Sequence, residues 1–269
     1  MGLQIISAIL AFCFGAIIGS FLNVVILRLP EGQSLNGRSH CPKCGHVLGF
    51  LDLFPLLSFI FLRGRCRFCK TKISPRYFIL EAAAGFLFAA AYFYLQPASF
   101  IQALLLLKFW VILAALLVIF VVDLEHFLIL DSVIFPVSGA ILILNIVLDF
   151  CSKISVFSLH SNFLSGLLAA AGLWLLFFLV WFFSKGLWLG FGDVKLAVLL
   201  GLTLGWPLIL AGFMLAVFLG GAVSVFLLAF GGKNLKSQVP FGTFLALGTV
   251  LALFYGDKLI SWYLAILGF

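Results

Sequence analysis

The sequence predicts an all-α polytopic membrane protein with about eight transmembrane helices and a small zinc-stapled loop domain between the first two. Three observations carry this expectation. Hydrophobic residues make up 65% of the 269 positions and charged residues only 9%, with a mean hydropathy of +1.30, which excludes an ordinary soluble domain. Long apolar runs recur from the first residues almost to Phe269, the pattern of helices that satisfy their own backbone in lipid. One long polar stretch interrupts them and holds Cys41, Cys44, Cys66 and Cys69.

Residues 3–27 form the first span; without a basic n-region or small-residue cleavage site it reads as retained rather than as a signal peptide. Residues 28–76 are a loop rich in Gly, Arg and Lys, with turn signals at Pro42, Gly45, Gly64 and Pro75. Apolar segments follow at 77–95, 101–122, 132–150, 161–183, 194–205, 207–230 and 242–264. The domain organisation is therefore 1–27, 28–76 and 77–269. The segment 194–205 is the weak one, because about twelve helical residues rise only about 18 Å against a core of roughly 30 Å.

Orientation follows from the basic residues. Arg28, Arg38, Lys43, Arg63, Arg65, Arg67, Lys70, Lys72 and Arg76 crowd the first loop, which places it in the cytoplasm and the amino terminus outside. Counting spans onward puts Lys185, Lys195, Lys233 and Lys236 on that same face. The formal charge of +7 thus reports topology and not a nucleic-acid partner; the expected surroundings are the lipid bilayer.

Cys41-Pro42-Lys43-Cys44 and Cys66-Arg67-Phe68-Cys69 have the form of two zinc knuckles about twenty residues apart. Each turn presents two thiolates, and two turns complete a closed tetrahedral site, so the role is structural. A redox dithiol, or two disulfides under inverted topology, is the alternative. His40 and His46 flank the first knuckle and read as polar loop residues, with substitution as ligands the alternative. The neighbouring stretch Asp52–Phe59 reads as a partly apolar segment packed against the membrane face.

Nine acidic residues are few for such a chain, and carboxylates kept at a membrane boundary are functional candidates. Asp123 ends the third apolar segment and Asp193 opens the sixth, closing Gly190-Phe191-Gly192-Asp193. Two spans separate them, so both belong to the cytoplasmic face. Paired there, they share one proton and activate water. Gly190 and Gly192 permit positive φ and close approach of an extended peptide. The plainer reading makes Asp193 a helix N-cap partnered by Lys195, and Asp123 an interfacial charge. Glu125 is the rival of Asp123, Asp131 is an N-cap for the following span, and Glu81 pairs with Arg76 or Arg28. Asp149 and Asp257 look structural.

With these residues in hand, the chain resembles the type IV prepilin peptidases, integral-membrane aspartic proteases, over nearly its whole length. The resemblance rests on Gly19–Ile26 with Arg28-Leu29-Pro30, the cysteine loop, Ile73–Tyr77 with Glu81, Gly190–Lys195, and Val239–Gly248. It implies that Asp123 and Asp193 are the catalytic pair and 77–269 the protease domain. It also implies an inner-membrane enzyme that removes basic leaders from prepilins and pseudopilins after a glycine, on the cytoplasmic side. Many members then methylate the new amino terminus with S-adenosylmethionine; no GxGxG loop is visible, and no cofactor-binding residues are assigned. The family usually has proline where this chain has Leu130. A transporter or channel using Asp123, Glu125 and Asp193 as ion ligands is the alternative from another class. A presenilin-type protease is a third reading, but it has no need of the four-cysteine loop.

Overall fold

The computed structural model describes residues 2–230 and 239–267. Lys233 and Lys236, used in the charge count, lie outside the described residues. The chain divides into two compact units, Met1–Val118 and Ile119–Phe269.

In the first unit, α1 (Gly2–Arg28) packs along α3 (Pro75–Leu95). Small residues allow the approach: a Cβ on Gly15 would lie 2.6 Å from the Ala84 carbonyl oxygen, and one on Gly19 would lie 2.9 Å from the Glu81 Cα. Such close crossings replace the hydrophobic drive that lipid removes. Asn23 adds a side-chain donor to the Tyr77 carbonyl at 3.3 Å. Ser74 caps α3, accepting from the Arg76 N–H, with Pro75 at the first helical position. Between α1 and α3 lie a short 3-10 turn, Phe50–Asp52, and α2 (Leu57–Phe61).

Helix α4 (Phe100–His126) gives its first part to this unit and its last turns to the second. The second unit continues with α5 (Asp131–Cys151), α6 (Asn162–Phe183), α7 (Phe191–Leu204), α8 (Leu208–Phe230) and α9 (Phe241–Ile266). Seven helices among the described residues are long and apolar enough to cross a membrane. The eighth expected segment is α7, which starts three residues earlier than the hydropathy suggests.

At 14 residues α7 is about 21 Å long, short of a full span. Ten of its residues are nonetheless buried, and it touches α5, α6, α8 and α9. Gly201 lets it lie directly on the α6 backbone at Ala169 and Ala170. The buried Asn145 side chain of α5 donates to the Leu202 carbonyl at 2.9 Å. A helix enclosed in this way need not reach both interfaces, because protein rather than lipid surrounds it. Asp149 is structural, as its position suggests. Fully buried, it accepts from the Asn162 and Phe163 N–H groups at 2.8 and 2.9 Å, meeting the positive end of α6.

Candidate functional site

Asp123 sits in the last turn of α4, 5% exposed, and Asp193 in the first turn of α7, 9% exposed. They come from helices separated by two spans, yet they lie within electrostatic reach of each other. Asp123 Oδ2 accepts two hydrogen bonds from the start of α9: the Thr243 N–H at 2.6 Å and the Thr243 hydroxyl at 3.0 Å. Asp193 turns back toward the Gly190 N–H, as an acidic residue does at the third helical position. Its Oδ1 is buried and takes no hydrogen bond from the described residues.

Ile129 holds this arrangement together. A Cβ on Gly192 would lie 3.0 Å from the Ile129 Cβ, and one on Gly242 would lie 3.1 Å from its Cδ1 and 2.9 Å from Asp123 Oδ2. The Phe127–Leu130 connection is thus wedged between the starts of α7 and α9. Neither Gly190, with φ −71°, nor Gly192 has positive φ. The expectation of left-handed backbone there is corrected: Gly192 is instead where Ile129 packs closely on the start of α7.

The other acids separate by geometry. Glu125, two residues beyond Asp123, is exposed and lies 3.9 Å from His126 Nε2. A rotation of 200° along a helix puts the two carboxylates on different faces, and only Asp123 turns inward. The N-cap of α7 is Gly190, not Asp193, and Lys195 does not partner Asp193. Lys195 instead donates to both oxygens of Asp131 at 2.7 Å, joining the starts of α5 and α7. Asp131 is likewise not a cap: Leu130 is, and Asp131 is the first helical residue. Leu130 has φ −80°, within the range of a proline, so the departure from the usual residue costs the helix entry little.

Thr243 and Gly242 received no role from the sequence, although both lie in the Val239–Gly248 motif. The apolar run alone hides that a hydroxyl and a backbone N–H converge on Asp123. Removing the hydroxyl with Thr243→Val leaves the backbone donor. The loss of one of two donors is expected to lower kcat about tenfold, or about 1.4 kcal/mol, with little change in KM. An unchanged kcat in a peptide-cleavage assay would count against a catalytic Asp123.

In the first unit, the sulfur atoms of Cys41, Cys44, Cys66 and Cys69 all lie within 4.8 Å of one another. Each knuckle folds identically. The Gly45 N–H returns to the Cys41 carbonyl at 2.9 Å and the Lys70 N–H to the Cys66 carbonyl at 3.0 Å, with φ +70° at Gly45 and +58° at Lys70. Four thiolates at about 2.3 Å from a tetrahedral ion sit about 3.8 Å apart, and Cys41 Sγ and Cys69 Sγ are separated by 3.8 Å. The donor set fits a metal. Hydrogen bonding with Thr71, first through its hydroxyl and then through its backbone, holds the Cys69 thiol down at about 6. His46 stacks on Phe68 at 3.5 Å between ring centroids, and the metal cluster contains neither it nor His40.

Glu81 is buried and accepts from the Leu56 N–H at 2.8 Å. Arg28 spends its guanidinium on the carbonyls of Ser34, Leu35, Asn36 and Arg38.

These features define a multi-pass helical membrane protein with a buried carboxylate pair and a four-thiolate cluster. Residues 13–95 match the bacterial peptidase A24 N-terminal domain, and residues 110–225 match the type IV leader peptidase family. Three curated relatives carry the name prepilin leader peptidase/N-methyltransferase. That of Aeromonas hydrophila is 32% identical, covering 95% of this chain and 93% of the relative. That of Burkholderia pseudomallei strain 1026b is 33% identical over 95% and 86%, and that of Bacillus subtilis strain 168 is 32% identical over 94% and 96%. No solved structure matches. The chain belongs to the type IV leader peptidase family.

Proposed function

We propose that this protein is an aspartic endopeptidase of the bacterial inner membrane that removes the basic leaders of type IV prepilins and pseudopilins. It cuts after glycine at the cytoplasmic face and then N-methylates the exposed residue. The observation that carries the reading is the buried Asp123, fixed by Thr243 and within electrostatic reach of Asp193. One carboxylate, ionised, takes a proton from water as the water oxygen attacks the scissile carbonyl. The other, protonated, gives its proton to the carbonyl oxygen. Collapse of the tetrahedral intermediate breaks the C–N bond, and the leaving amine takes up a proton. Gly190 beside Asp193 and Gly242 beside Asp123 add no side chain next to either carboxyl.

The four thiolates hold structural zinc, which supplies the stability that a short polar loop lacks. S-adenosylmethionine is the methyl donor, without assigned binding residues. The crowding of basic residues in 28–76 supports a cytoplasmic loop and an outside amino terminus. Ion transport is disfavoured by a carboxylate pair at helix ends and by family membership.

The test uses full-length protein in lipid nanodiscs and a peptide with a basic leader, a glycine and an apolar helix. Cleavage after the glycine and methyl transfer from labelled S-adenosylmethionine are expected. An intact peptide after prolonged incubation with zinc-loaded enzyme overturns the peptidase reading.

A further inference from the structure

The stretch from Phe50 to Leu62 combines four properties that together name a partner. Its apolar side chains point outward: Phe61 is 80% exposed, and Phe50, Leu57 and Ile60 are exposed as well. It is tied to the membrane helices at depth. Glu81, bonded to the Leu56 N–H, lies six residues below Pro75, or roughly 9 Å down α3. With 21 residues, α3 is about 31 Å long and needs nearly all of that to cross the hydrocarbon. Phe59 of α2 packs on Phe78 in the first turn of α3, with ring centroids 5.4 Å apart. Exposed basic residues Arg63 and Arg65 follow immediately, and exposed Lys72 lies just past the second knuckle.

Backbone at membrane depth persists only where protein satisfies its polar groups, and Glu81 does this for Leu56, which caps α2 with φ +62°. We infer that Phe50–Leu62 is a re-entrant anchor seated in the lipid interface beside α3, with Arg63, Arg65 and Lys72 on anionic phospholipid headgroups. The occupant is lipid because the exposed side chains stand level with the upper turns of a membrane helix, where soluble protein has no access. Cationic side chains flanking an apolar insertion suit an anionic leaflet. The anchor seats the four-thiolate knuckles against the bilayer, through the Arg67–Asp52 ion pair at 2.8 Å. This inference does not depend on the peptidase reading.

The test places photoreactive benzoylphenylalanine at position 61 of the full-length protein, in nanodiscs of equal phosphatidylglycerol and phosphatidylcholine. Lipid adducts are expected at yields close to those from position 218, an exposed apolar site in α8. They should be enriched at least about threefold in phosphatidylglycerol, with none from position 36. The same substitution at Ile60 repeats the measurement should position 61 disturb folding. Absence of lipid adducts at both sites, or crosslinks to protein instead, overturns the anchor. Equal labelling of the two lipids overturns the headgroup contact.

Discussion

Asp123→Asn and Asp193→Asn each lower kcat for leader cleavage by at least about 10³-fold, while Glu125→Gln stays within about twofold of the unmutated protein. General acid–base groups contribute about 10²–10⁴-fold each, and members of one catalytic unit do not lose activity additively. Asparagine preserves volume and leaves the Thr243 N–H and hydroxyl opposite an oxygen of residue 123. The loss therefore reports proton chemistry and not collapse of packing. Glu125 is the internal control, since it lies two residues away but faces His126 and solvent. The proposed mechanism needs one carboxyl ionised and its neighbour protonated, so a bell-shaped pH–rate profile whose two limbs belong to the pair is expected of the unmutated enzyme. The measurement is initial rate against pH in nanodiscs, with equal amounts of folded protein verified by size exclusion. Retained cleavage in either asparagine variant sinks the dyad.

With the proposed zinc at the four thiolates, replacing Cys41 by serine is expected to empty the centre and loosen the loop that surrounds it. Elemental analysis of the purified protein is expected to give one zinc per chain, falling to near zero in Cys41→Ser and in Cys66→Ser. His46→Ala leaves it unchanged, because His46 packs on Phe68 outside the cluster. Structural zinc in comparable sites is worth on the order of 10–16 kcal/mol of binding energy. Each knuckle otherwise closes on a few backbone hydrogen bonds around one isolated bridge, His40 with Val47 and Arg65 with Lys72. Limited proteolysis then cuts between residues 36 and 72 in the serine variants and not in the unmutated protein. Undiminished zinc in both variants refutes the site.

Sequence and structure divide the explanation according to the range of the forces involved. Long apolar runs foretold about eight spans, and seven described helices are long and apolar enough to cross, because the cost of unsatisfied backbone in lipid is local and additive along the chain. The two CxxC turns were legible for the same reason: each knuckle closes within five residues. The motifs that relate this chain to leader peptidases are short and sequential, and family membership followed from them.

The sequence favoured Asp123 and left Glu125 as its rival, but it could not find Thr243 120 residues away, nor see that Lys195 bonds Asp131 rather than Asp193. It also suggested positive φ at Gly192, which the structure does not have, and only the packed structure shows Ile129 against it. Those outcomes depend on which helix faces cross, and on small residues that let backbones approach. The sequence by itself determined a multi-pass helical protein with two sets of reactive side chains. Tertiary structure alone decided which carboxylate turns inward and what holds it, because burial and hydrogen bonding arise from contacts between segments distant in the chain.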